Sequence, residues 1–282
     1  MSQKDKPDPP EGYRLGESAQ PVALPRSLDR RALLRVALKL FILEALWNPR
    51  GQQSLGLLTV IDKPLAAIYA GRPAALKEAR KRNLDFFNTN PIASGLVVGA
   101  LLTLEEEQAA GLISPKTERN LVQALASTLA AEGDQLFWQS WLPLCCLTGV
   151  LVTVLTGYLW APLLIPVLFC ALAWPVRVWG VFKGYELGSD VYRIYQLSHG
   201  ERLIWAIQWL WLLILAVLTA MAVVRIFTPL EATSRWALPW VLLSIFALWL
   251  YKRVTFGHLS ILSWLLYPVM LLILLGLTII LV

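Results

Sequence analysis

Hydrophobic and polar positions alternate along this chain on three different scales. Residues 1–27 are polar and carry five prolines (Pro7, Pro9, Pro10, Pro21 and Pro25) among scattered charges. Such a segment has too little apolar surface to offset the entropy of ordering, so a disordered tail is expected. From 28 to 46 the pattern becomes helical. Leu33, Leu34, Ala37, Leu38, Phe41, Ile42 and Ala45 recur at helical spacing, with Arg30, Arg31, Arg35 and Lys39 mainly elsewhere on the wheel. This predicts an amphipathic basic helix suited to an anionic membrane surface or, alternatively, to a soluble partner face.

Shorter apolar stretches follow. Residues 51–71 are apolar but interrupted by Asp62-Lys63-Pro64, where the missing proline N–H predicts a break. Residues 74–87 predict a charged helix ending in Phe86-Phe87. Pro91–Leu104 is an apolar run of only 14 residues, whereas a spanning helix needs about 20. It is expected as a re-entrant or half-length segment, buried in protein or lining a wet cavity. A second short helix is predicted over Pro115–Ala131, with Ser114 as N-cap and an end at Gly133-Asp134.

About five spans then follow, near Leu136–Leu159, Pro162–Phe182, Leu203–Phe227, Trp236–Tyr251 and Leu259–Val282. The tight Trp160-Ala161-Pro162 turn makes the first two either a hairpin or a pair of broken half-helices. Trp160, Trp205, Trp209, Trp236 and Tyr251 lie near span ends, as an aromatic belt would place them. The fold class expected is therefore an all-α membrane protein: a disordered tail (1–27), amphipathic and re-entrant or half-length helices (28–134), then about five transmembrane helices (135–282).

Composition agrees, since 57% of the residues are hydrophobic and 16% charged, against about 45–50% and about 25% in soluble domains. The net charge of +6 points to an anionic membrane surface rather than nucleic acid, because 15 of the 25 Lys and Arg lie between Lys4 and Arg82, with no aromatic-basic interleaving. Residues 1–30 lack an apolar core, so no secretory signal is expected. The N-terminal region, the Arg177–Arg202 loop and Lys252-Arg253 are the basic segments. The expected orientation is N-terminus in the cytoplasm and C-terminus outside. Cys145, Cys146 and Cys170 lie in apolar runs without metal-ligand spacing. No nucleophile–His–acid set or Gly-rich phosphate loop is present, and His199 and His258 lack acid–base neighbours, so an enzyme acting alone is not expected.

Local strings add a resemblance. Phe86-Phe87-Asn88-Thr89-Asn90-Pro91 looks like the F-F-N-T-x-P signature of IID subunits in the mannose/fructose/sorbose family of sugar phosphotransferase systems. Leu102-Thr103-Leu104-Glu105-Glu106 and Gly133-Asp134-Gln135-Leu136-Phe137-Trp138 are similar to that family's L-A-x-E-E and G-D-x-x-F-W. Upstream, Trp47-Asn48, Gln53 and Leu55-Gly56 resemble its opening motif; downstream, Arg177, Gly180, Gly184, Tyr185, Gly188 and Asp190 resemble its R-x-x-G-x-x-x-G-Y-x-x-G-x-D run. The order is collinear over about residues 40–195.

The resemblance implies a subunit of the bacterial inner membrane. It would pair with a IIC subunit to translocate a hexose-type sugar, which soluble IIA and IIB phosphorylate through histidines of their own. It implies no cofactor, no metal and no catalytic residue in this chain. A sugar needs amide or carboxylate partners and an aromatic surface. Asn88, Thr89, Asn90, Glu105, Glu106, Asp134, Gln135 and Trp138 supply these at the ends of short apolar segments, as half-helices do in transporters. Each also has a structural reading: Asn88 or Thr89 as a helix cap, the glutamates as a solvated helix end, Asp134 as a turn or N-cap, Trp138 as an interfacial anchor.

The chain also departs from the family pattern. Ser127-Thr128 and Ala131 replace a Gly-Pro and a glycine, Leu142 an arginine, Cys170 and Ala173 an asparagine and an arginine, and Pro49-Arg50-Gly51 an aromatic-Glu-Arg. Polar groups in apolar surroundings normally serve a site. Their loss opens the alternative of a non-transporting scaffold or sensor in a phosphotransferase-linked complex.

Overall fold

A computed structural model describes residues 26–191 and 200–227, and all their regular elements are helical. The helices are α1 (Arg30–Lys39), α2 (Ser54–Ile68), α3 (Pro73–Asn83), α4 (Ser94–Ala109), α5 (Pro115–Gly133), α6 (Leu142–Thr156), α7 (Leu164–Leu187) and α8 (Gly200–Phe227). A 3₁₀ segment, Leu40–Leu46, extends α1, and a π-helical segment, Asp134–Trp141, joins α5 to α6.

Three helical stretches are long and apolar enough to cross a membrane: Pro115–Thr156, Ala161–Asp190 and Arg202–Val223. They overlap the first three expected spans. The other two, with His199, His258 and the basic residues beyond Arg202 that set the orientation, lie outside the described residues or have undescribed side chains. α6 stops at Gly157, whose φ of 72° places it in the left-handed region that a side chain would disfavour. The chain turns through Tyr158–Trp160 into α7, so the first two spans form a helical hairpin.

The half-length α4 is the centre of the fold. Every residue from Val97 to Glu106 is buried, against α7 on one side and α2 and α5 on others. Two Gly-x-x-x-Gly pairs set the closest contact. A Cβ on Gly95 would lie 2.0 Å from the Arg177 carbonyl, one on Gly99 2.2 Å from that of Val181, and one on Gly184 2.1 Å from that of Leu96. Small residues at this spacing let helix backbones touch where lipid supplies no hydrophobic drive. α4 and α7 run parallel, Gly95 level with Arg177 and Thr103 level with Tyr185.

Several expectations are corrected. α2 does not break at Pro64: Val60, Ile61, Pro64, Leu65 and Ile68 are all buried, and that packing outweighs the local cost of about 3 kcal/mol for an interior proline. The helix from Pro115 does not end at Gly133-Asp134 but runs on through the π segment into α6. α1 turns Leu33, Val36 and Ala37 to the core while Leu34, Leu38, Phe41 and Ile42 stay exposed. The single apolar stripe read from the sequence is thus two faces, one packed and one free.

Candidate functional site

The Phe86–Pro91 string is held from two directions. The Gln53 side chain clasps the backbone of Thr89, donating from Nε2 to the carbonyl (2.7 Å) and accepting at Oε1 from the amide (2.9 Å). Gln53 Nε2 also donates to Glu44 (2.6 Å). Phe87 exchanges backbone bonds with Gly51 and Gln53. The opening motif is therefore a cradle for the next one. Thr89 itself is buried, with no partner for its hydroxyl among the described residues.

Asn90 carries the second anchor. Its Oδ1 accepts from the amides of Ile92 (2.9 Å) and Ala93 (3.2 Å), so Asn90 starts the α4 region, not Asn88 or Thr89. Its Nδ2 donates to Asp134 Oδ1 (2.8 Å). Gly133 makes this possible, because a Cβ there would sit 2.5 Å from the Asn90 Cβ. Asp134 is neither turn nor N-cap; it lies in continuous helix. Ile92 and Phe137 pack with Ala173, near the middle of the 24-residue α7. The Asn90–Asp134 bond thus lies level with the middle of a helix long enough to span.

From Asp134 the helix is π-wound, a form that often marks functional positions. The Ser140 hydroxyl donates to the Gln135 carbonyl (2.7 Å) and accepts from Gln208 of α8 (3.1 Å). Asp134 and Trp138 are exposed, Gln135 half-buried. The Trp138 ring stacks on Phe169 at 5.7 Å. Asn88 is exposed too, and lines a cleft of about 220 Å³ with Arg82, Asp85, Phe86, Arg119 and Gln123. Arg119–Asp85 (2.7 Å) and Arg82–Glu118 (3.3 Å) pair within it.

Glu105 and Glu106 are elsewhere. They lie about 16 Å along α4 from Ser94, and they are 0% and 4% exposed, not a solvated helix end. They also point apart. Glu105 accepts from Arg82 (2.8 Å), Tyr69 (2.6 Å) and Asn83 (2.6 Å). Burial, and next the Glu105 carboxylate, push the Tyr69 phenol above its ordinary range. Glu106 Oε1 accepts from the Ser27 amide (2.8 Å), the Ser27 hydroxyl (2.7 Å) and the Tyr185 hydroxyl (2.7 Å). Arg26 lies over the Tyr185 ring and donates to Thr103 (2.6 Å) and to the Glu186 carbonyl (2.9 Å). The last residues of the expected disordered tail are thus a strap over α4 and α7. The eight candidate residues therefore fall into two groups, with Asn88, Thr89, Asn90, Asp134, Gln135 and Trp138 at one end of α4 and the glutamates at the other.

The sequence reading missed Glu44 and the environment of Arg177. Arg177 lies over the Phe41 ring at 5.1 Å, with Glu44 as its opposing charge and its Nε unpartnered among the described residues. Phe41 meets Trp174 edge to face at 5.9 Å. Glu44 is exposed. A glutamate at helical spacing from an apolar stripe, followed by Trp-Asn, was the available signal. Among the described residues no group of His, Cys, Asp and Glu is placed to hold a metal ion.

Comparison with known proteins agrees with this geometry. The profile described as PTS system mannose/fructose/sorbose family IID component matches residues 27–281. The PTS system mannose-specific EIID component of Escherichia coli K12 is 30% identical over 167 residues, 59% of this chain and 59% of that protein. The fructose permease IID component of Bacillus subtilis is 25% identical over 186 residues, 64% of this chain and 67% of that one. A chain in the cryo-EM structure of the mannose transporter ManYZ with microcin E492 superposes with a TM-score of 0.53 at 28% identity, over 69% of this chain and 71% of that one. Another membrane protein shares the fold at a TM-score of 0.65 and 23% identity, over 90% of this chain and 98% of that one. The five collinear motifs, their mutual contacts and a profile match over nearly the whole length lead to one assignment: the chain belongs to the mannose/fructose/sorbose family of phosphotransferase-system IID components, as a membrane subunit.

Proposed function

We propose that this subunit pairs with a IIC partner in the bacterial inner membrane, N-terminus in the cytoplasm, to translocate a hexose-type sugar that IIB phosphorylates at the expense of IIA. The observation that carries the reading is the Asn90–Asp134 bond at mid-height of α7, where a half-length helix begins. Polar groups at that depth are costly against lipid and normally face a partner or a wet path. Asp134, Trp138 and Glu44 are exposed in the isolated chain. In the bilayer a second subunit would cover them, and the pathway would run between the two.

Within this proposal the sugar is met by Asn88, Asp134, Gln135 and Trp138, whose amides, carboxylate and ring face suit hydroxyls and an apolar sugar face. Thr89 and Asn90 hold the loop, while Glu105 and Glu106 hold the frame of α4. The test is uptake and phosphorylation of hexoses by vesicles containing this chain, a IIC partner and the soluble phosphocarriers. Uptake that falls at least tenfold in Asp134→Asn, with the complex intact, supports the reading. One observation favours the non-transporting alternative: Ala173, standing where the family pattern has arginine, packs against Ile92 beside Asn90. Absence of uptake for every hexose tried, with IIC bound, selects that alternative.

A further inference from the structure

We infer that α1 and the Leu187 end of α7 together form a binding site for one anionic phospholipid, with the headgroup phosphate on Arg30 and Arg31 and an acyl chain along Leu34 and Phe182. These four residues line a shallow open groove. Arg30 and Arg31 are exposed and make no ion pair or side-chain hydrogen bond among the described residues. Arg26, just before α1, is by contrast taken up by Thr103 and the Glu186 carbonyl. Two of the acids nearby are engaged, while Glu107 has Arg26 as its opposing charge and Asp190 is exposed. Asp29 caps α1 through the Ala32 amide (2.7 Å), and Glu186 pairs with Lys183 (2.7 Å).

The level of the groove identifies the occupant. α1 runs antiparallel to α7, with Phe41 beside Trp174 and Arg177 at one end and the Arg31 turn beside Phe182 at the other. Phe182 precedes the end of α7 at Leu187 by five residues, about 7 Å of helical rise. The two guanidiniums therefore stand where a membrane-crossing helix leaves the hydrocarbon, the height of a lipid phosphate. The apolar wall below them continues into the exposed Leu38, Ile42 and Trp179. A soluble phosphate ligand would have no use for that wall, whereas a glycerophospholipid uses both halves. Two adjacent guanidiniums match the phosphate oxygens, and the anionic lipids of a cytoplasmic leaflet supply the charge.

The inference rests on α7 spanning with its Leu187 end at the cytoplasmic face, as proposed above; it does not depend on sugar transport. The experiment is native mass spectrometry of the full chain with its IIC partner, delipidated in neutral detergent. Dioleoylphosphatidylglycerol, dioleoylphosphatidylcholine or glycerol 3-phosphate is then added. Retention of phosphatidylglycerol over phosphatidylcholine is expected, with a fall of about tenfold in Arg30→Gln/Arg31→Gln. The equally charged change Lys77→Gln/Lys81→Gln on α3 should leave it unaltered, and Arg31→Gln alone should show an intermediate loss if the double variant yields no complex. Equal retention of the two lipids, equal loss in both double variants, no loss in Arg31→Gln, or retention of glycerol 3-phosphate as firmly as of phosphatidylglycerol would each overturn it.

Discussion

Gly133 and Asn90 occupy one space: the asparagine side chain fills the position that a Cβ on the glycine would need, 2.5 Å from its own Cβ. The next residue, Asp134, then accepts the Asn90 amide at 2.8 Å. Two sequence motifs separated by over forty residues are therefore one interlock. Gly133→Ala should cost about 1–3 kcal/mol through overpacking, seen as a lower melting temperature of the complex in detergent. A double-mutant cycle on Asn90→Ala and Asp134→Ala should show a coupling of about 0.5–1.5 kcal/mol. Strict additivity would show that the bond contributes nothing.

The α4–α7 crossing makes a sharper prediction. Gly99→Ala and Gly184→Ala place a methyl 2.2 and 2.1 Å from the carbonyls of Val181 and Leu96. Backbone cannot rotate away as a side chain can, so the helices must separate. Either variant should reduce the recoverable folded complex severely, as judged by size-exclusion chromatography. Gly157→Ala serves as the comparison: its surroundings are open and only the positive φ is strained, a cost of about 1 kcal/mol. Similar yields for all three would refute the close-packed crossing.

The motifs were legible as strings, and their contacts explain why they recur together. Gln53 clasps Thr89, Asn90 meets Gly133, Glu106 meets Tyr185, and Gly184 meets Leu96. The half-length of α4 and the first three spans also followed from apolar run length alone. What local pattern could not reveal was decided by packing. Pro64 stays helical because both flanking turns are buried. Glu105 reads as a solvated helix end because its Arg82 partner is 23 residues away in sequence. The expected pocket combined residues from both ends of α4, since nothing in the sequence states which way consecutive glutamates point. They point apart because neighbouring positions on a helix are about 100° apart.

Glu105 and Asp134 should consequently fail in different ways. Arg82→Ala leaves the Glu105 carboxylate buried and uncompensated, a loss of about 3–5 kcal/mol. Arg82→Met/Glu105→Leu removes that pair of charges but leaves the buried Glu118 without its Arg82 partner, so it should recover only part of the loss. Transport per folded complex should stay near the unaltered level in the double variant. Asp134→Asn should leave the folded amount nearly intact and lower uptake. A normal melting temperature with lost uptake in the Arg82/Glu105 double variant would move Glu105 into the sugar path.

The strap over Tyr185 provides the last test. Leu28 is buried, and its amide donates to the Tyr185 hydroxyl (3.2 Å), which in turn donates to Glu106 (2.7 Å). Tyr185→Phe removes the donor to Glu106 and the acceptor for Leu28 in one step, while Ser27→Ala removes only one donor to Glu106. Each lost bond is worth about 1 kcal/mol, more where a carboxylate is left under-satisfied. Tyr185→Phe should therefore destabilise more than Ser27→Ala, and it should do so locally. Proteolysis next to Arg26 should quicken in both variants, faster in Tyr185→Phe, while the α4–α7 crossing stays protected in hydrogen exchange because its glycine contacts do not involve the phenol oxygen. Loss of protection at Gly95–Gly99 in Tyr185→Phe would mean that the strap holds the two helices together, rather than resting on a crossing that is stable without it.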